Sequence, residues 1–96
     1  MPVTLCVLLW ARPGQEDALA SYEDRVLELV SEHGGRVLQR GRVVPDAADS
    51  PTEVQLLEYG SQSGVDAYMA DPRRTAMAAE RDAAIARTDV HRIELR

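Results

Sequence analysis

Val3-Thr4-Leu5-Cys6-Val7-Leu8-Leu9-Trp10 is a stretch that is apolar on both sides of an extended chain. Alternation sends Val3, Leu5, Val7 and Leu9 to one face and Cys6, Leu8 and Trp10 to the other. Such a strand needs cover on both faces, since each large aliphatic left wet forgoes roughly 1.5–3 kcal/mol. It belongs in the middle of a sheet, with helices on one face and something else on the other. In a chain of 96 residues the natural second cover is another copy of the chain.

The elements that follow fit around this strand. Arg12-Pro13-Gly14 ends it. A helix is expected from about Gln15 to His33, with Glu16 and Asp17 at the positive end of its dipole. Leu19, Tyr22, Val26, Leu29 and Val30 form its apolar stripe, while Glu23, Asp24, Arg25, Glu28 and Glu32 mostly decorate the other face. Gly34-Gly35 stops it. Arg36 to Val44 is a more polar strand, as an edge position favours. Pro45 to Pro51 is a polar loop. Glu53 to Tyr59 is again apolar on both faces and central. A helix starts at Ser61 to Ser63, where Ser63 and Asp66 have capping-box spacing. Asp71-Pro72 breaks it and begins a second piece to about Ala86, Asp71 capping and Pro72 opening the turn. Thr88 to Leu95 closes the chain as a strand.

The order is βαββαβ with a broken second helix. It predicts one α+β domain over residues 1–96, ferredoxin-like, with a four-stranded antiparallel sheet whose first and third strands are central.

The totals narrow the function. A net charge of −5 opposes nucleic-acid binding. No basic amphipathic helix points to a membrane surface, and no apolar run approaches the roughly 20 residues of a span. With no leader-like segment at the N-terminus, a cytoplasmic location is expected. All eleven basic residues are arginine, which removes Schiff-base lysine chemistry and hints at a GC-rich bacterial genome. The single cysteine, Cys6, makes no intrachain disulfide and reads as a small apolar residue of the strand.

Several stretches together resemble the dimeric α/β-barrel superfamily, and within it small bacterial families of unknown function. They are Tyr22-Glu23, His33-Gly34-Gly35-Arg36-Val37-Leu38, Leu57-Glu58-Tyr59, and Ala67-Tyr68-Met69-Ala70-Asp71-Pro72-Arg73-Arg74 leading to Arg81. The resemblance implies a homodimer with two sheets packed face to face and helices outside. Relatives of this kind include cofactor-independent and haem-degrading monooxygenases, EthD-like proteins and small isomerases. Monooxygenase relatives commonly pair an asparagine with a tryptophan, and this chain has no asparagine.

Chemistry-bearing residues are few. His33 and His91 lie far apart, no cysteine pair exists, and no metal or other cofactor is expected. His33, at a helix end, is explained by the dipole. A pocket between sheet and helices would be shaped by Trp10, Tyr59 and Glu58. His91 has the side chain for proton transfer near neutrality. Arg81 shares a helix face with Met77 and Ile85, where its charge needs a partner such as Glu58 or Glu94, or serves as an anion clamp. Arg73 and Arg74 read as solvated side chains or as gatherers of an anion. Arg40 and Arg42 are expected to pair with acids across a dimer. Two readings follow. One is a metal-free enzyme acting on a small organic molecule, an isomerase or a cofactor-independent oxygenase, with His91 and Arg81 as catalytic residues. The other is a non-catalytic binding or structural homodimer.

Overall fold

A computed structural model describes residues 1–96. Strand β1 spans Val3–Ala11 and helix α1 Glu16–Val26, continued by a 3-10 segment over Leu27–His33. Strands β2 (Gly35–Arg42) and β3 (Glu53–Tyr59) follow, then helices α2 (Gln62–Met69), α3 (Pro72–Thr75) and α4 (Ala78–Ala84), and strand β4 (Ile85–Ile93). The sheet order is β2-β3-β1-β4, antiparallel throughout. This is the expected ferredoxin-like arrangement, with the two most apolar strands in the centre.

The helices cover one face only. The molecule is a slab of 37 × 35 × 16 Å, the thickness of two layers. Val3, Val7 and Leu9 of β1 and Leu57 and Tyr59 of β3 are buried against Leu19, Tyr22, Val26 and Val30. On the opposite face Cys6 pairs with Leu56 and Leu8 with Val54, and all four are only half-buried.

Local chemistry shifts some boundaries. The long first helix tightens after Val26, and three residues per turn keep Leu27 and Val30 on one buried side. Gly34 ends it in the left-handed region at φ 74°. Asp71 caps α3 as expected, accepting from the Arg73 N–H at 2.8 Å. The expected Ser63–Asp66 capping box does not form. Ser61 holds the cap position, its hydroxyl 2.8 Å from that of Ser63, while Asp66 accepts instead from Gln62 Nε2 at 3.0 Å. The piece expected to reach Ala86 ends at Ala84, because Ile85 pairs with Ala11 and the Arg12 N–H takes the Ala84 carbonyl at 2.9 Å. Strand pairing at a buried position outweighs alanine's helix propensity there. No helix is long and apolar enough to cross a membrane.

Candidate functional site

Between the helices and the covered face of the sheet lies a cavity of about 350 Å³. That is the size range of small-molecule pockets. Leu5, Val7, Leu9 and Leu57 form its apolar floor, and Tyr22, Val26 and Tyr68 come down from the helices. Its polar groups are Glu23, Gln55, Tyr59, Arg74, Arg81 and Thr88. Val90 of the edge strand β4 also lines it and is 53% exposed, so the cavity opens at that edge.

Two of its polar side chains, Glu23 and Gln55, form a cluster with Glu53. Gln55 is 1% exposed, Glu23 5% and Glu53 6%. Gln55 Nε2 donates to Glu23 Oε1 and to Glu53 Oε2, each at 2.7 Å. Strand alternation puts Glu53, Gln55 and Leu57 on the covered face. The helix brings Glu23 in beside Leu19 and Val26, four residues after one and three before the other. Glu53 is neutralised by Arg40, whose Nε and Nη2 donate to it at 2.9 and 3.1 Å. Arg40 Nη1 also reaches Asp24 at 2.6 Å. Arg40 therefore finds two acids within its own chain. Glu23 has no such cation bonded to it. Burial, with repulsion from Glu53, pushes its carboxyl above the ordinary range against the opposing pull of Gln55 and Arg40.

The other end of the cavity is aromatic. The Tyr59 and Tyr68 rings are 6.1 Å apart, and the Arg74 guanidinium lies 5.3 Å from the Tyr68 centroid. Burial pushes the Tyr68 phenol up to about 12 and raises those of Tyr59 and Tyr22. All three keep their protons at neutral pH. The corner carrying Tyr68 and Arg74 is pinned from outside by Asp71, which lies 2.8 Å from His33 Nε2 and also binds Arg73. These bonds hold the Asp71 carboxyl far below its usual range, Arg73 contributing most. The pin also accounts for His33 and Arg73, whose Nη1 contacts Glu32 at 3.0 Å.

Of the residues expected to build a pocket, the structure brings Tyr59 and Arg81 into this one. Arg81 Nη2 donates to Thr88 Oγ1 at 3.1 Å, and its Nη1 lies 3.6 Å from Asp82. Those are its partners, in place of the expected Glu58 or Glu94. Trp10, Glu58 and His91 are on the other side of the sheet. His91 pairs with Cys6 and Glu58 with Thr4, both open-face positions of β1. Trp10 donates to the Asp49 carbonyl at 2.8 Å under the Arg87 guanidinium, and Glu58 accepts from Arg36 at 3.0 Å. The cause is alternation. A residue opposite Cys6 or Thr4 cannot share a face with Val7.

No protein-family model matches the sequence, and no curated protein matches it. Solved structures do. A protein of unknown function from Rhodopseudomonas palustris superposes with a TM-score of 0.80 at 20% identity, over 99% of this chain and 83% of its own. A dimeric protein of ferredoxin-like fold from Bacteroides fragilis gives 0.73 at 17%, over 98% and 96%. SnoaB, a cofactor-independent oxygenase from Streptomyces nogalater, gives 0.73 at 14%, over 99% and 93%. These neighbours share the ferredoxin-like fold of this chain. At such identities the likeness is one of fold and carries no reaction with it.

Glu23 and Gln55 are the cavity's functional candidates that the sequence reading does not name as such, while Arg74 is the residue it leaves as a solvated side chain or a gatherer of an anion. The signal for Glu23 was present: a carboxylate at stripe spacing between Leu19 and Val26. Gln55 was signalled in the same way, as a polar residue between Glu53 and Leu57 on a central strand.

Proposed function

We propose that the protein is a homodimer joined through its open sheet faces, and that each subunit binds a small organic molecule in its helix-side cavity and moves a proton on it through Glu23. The carrying observation is Glu23 itself: a carboxyl 5% exposed in an apolar cavity, accepting a hydrogen bond from Gln55 and none from a cation. A carboxylate so placed is a stronger base than an exposed one, and its conjugate acid persists closer to neutrality. It takes a proton from a carbon next to a carbonyl, giving a carboxylic acid and an enolate, and returns that proton to the enolate. Gln55 positions the carboxyl; Tyr59 and Arg81 are polar walls. In this reading Glu23 takes the proton-transfer role that residue type alone suggests for His91, which faces away.

Dimer formation rests on the half-buried Cys6, Leu8, Val54 and Leu56 of the open face. The Bacteroides fragilis neighbour is itself described as dimeric. Packing two such faces would bury these side chains and place His91 at the interface.

The test uses 2-indanone, a small ketone with exchangeable α-protons. Its exchange in D2O is followed by NMR with wild-type protein and with Glu23→Gln. Catalysed exchange that falls by about a hundredfold or more in the variant is expected, as for loss of a general base. Exchange equally fast with the variant, or no acceleration by wild type when 2-indanone occupies the cavity, overturns the proton-transfer role and leaves a binding protein.

A further inference from the structure

We infer that the cavity is built for a small ring compound carrying an oxyanion, a carboxylate above all, whose oxygens are received by the Tyr59 hydroxyl and the Arg74 Nε–H. The inference rests on the cavity-binding reading above and names the class of molecule bound.

Two unsatisfied donors carry the inference. Tyr59 is 1% exposed, its ring lines the cavity, and its hydroxyl has no partner. Arg74 Nε is likewise buried without a partner. Buried polar groups are paired in the great majority of cases, and an orphan asks for an explanation. A donor left alone in an apolar place costs free energy that a ligand acceptor would recover. Both donors belong to side chains that line the cavity and neighbour Tyr68, and together they offer a receiving site for an acceptor.

Charge selects the kind of acceptor. Among the arginines that line or border the cavity, Arg40 is bonded to Glu53 and Asp24, and Arg81 lies near Asp82. Arg74 has no carboxylate partner; its Nη1 donates to the Met69 carbonyl at 3.3 Å. A partly buried guanidinium in that state favours an anion, and its planar edge suits a carboxylate. The phenol of Tyr59, protonated across the neutral range, adds an O–H donor to the same oxygens. The rest of the wall is leucine, valine and tyrosine, which favours a ring over a hydrated chain. A volume near 350 Å³ admits one or two fused rings.

The probe pair is benzoate and toluene, which share a ring and differ in the anion. Binding is read from the methyl resonances of Val7, Leu9 and Leu57, and from the Arg74 Nε–H resonance. Benzoate is expected to bind about tenfold more tightly than toluene, as for a charge-assisted bond. Tyr59→Phe and Arg74→Met are each expected to weaken benzoate about fivefold or more while leaving toluene within about twofold. Tyr59→Phe removes one oxygen only, so it carries the test if Arg74→Met fails to fold. If toluene binds and benzoate is no tighter, or if the variants weaken both alike, the oxyanion site is overturned and the cavity reading stands. If neither probe moves the cavity methyls, both fall.

Discussion

Replacing Tyr59 by phenylalanine should make the protein more stable. Mutations that remove buried hydrogen-bonding groups usually destabilise, so the sign is informative. Tyr59 sits at 1% exposure with its ring against the core, and its hydroxyl has no partner. Phenylalanine keeps the ring and its contacts. An unsatisfied buried group costs about 1–3 kcal/mol, and the low end of that range gives about 1 kcal/mol of stabilisation. For a domain of this size that is a rise in Tm of about 4–8 °C. Differential scanning calorimetry of the two proteins at equal concentration measures the difference, since self-association makes Tm depend on concentration. An unchanged or lowered Tm would show that the hydroxyl is satisfied in the free protein. The argument that it waits for a ligand would then collapse, together with the oxyanion site that uses it. A rise in Tm with loss of benzoate affinity would be the pattern of a group kept for function at a cost in stability.

Other substitutions probe the remaining parts. Gly64→Ala should destabilise by about 1–3 kcal/mol in urea titration, because a Cβ there overlaps the His33 backbone carbonyl, which cannot rotate away; an unchanged midpoint would mean that α2 and the 3-10 segment slide apart freely. Leu8→Glu should yield a folded monomer by sedimentation, since Leu8 is on the open face and not in the core; a persistent dimer would move the interface elsewhere. Glu23→Gln should raise Tm at alkaline pH and leave it unchanged in acid. The raised carboxyl contributes stability while protonated, below its unfolded pKa, and loses it as pH rises through the folded value. A gain of the same size at both ends of the pH range would contradict the burial argument.

The sheet was legible in the residues because alternation and burial act together. Strand β3 has the bounds expected for it, and β1 is central because both its faces are apolar; β3 is central too, although Glu53 and Gln55 occupy part of its covered face. Helix ends were less legible. Ala83, Ala84 and Ala86 favour helix by local propensity, yet pairing of Ile85 with Ala11 decides the boundary. The site was legible only in part. Tyr59 and Arg81 reach the cavity, whereas alternation across the paired strands turns Trp10, Glu58 and His91 to the open face. Cys6 and His91 face the same way because they are partners in register. Register is a long-range property, and no local pattern in β4 supplies it. Arg74 is a different case. Its place in the turn after Pro72 leaves open a solvated side chain or a gatherer of an anion, and only the tertiary fold lays its guanidinium on Tyr68.

The same accounting of charge gives a coupling between ligand and proton. Glu23 faces Gln55 and Glu53 from β3, Arg40 from β2 and Arg74 from α3, with Tyr22 beside it on its own helix. Glu53 and Arg40 offset one another. The balance left in the cavity is Arg74, which lacks a carboxylate, against Glu23, which is negative or neutral according to pH. An arriving carboxylate takes up the charge of Arg74 and leaves an ionised Glu23 repelled and unrelieved. Anion binding should therefore raise the Glu23 pKa further and draw in a proton. Calorimetric titration of benzoate in two buffers of different ionisation enthalpy would detect the uptake, and affinity should increase as pH falls until benzoate itself protonates. In Glu23→Gln the uptake should vanish and the affinity should lose that part of its pH dependence. Uptake that persists in the variant would assign the proton to another group and separate Glu23 from the bound anion.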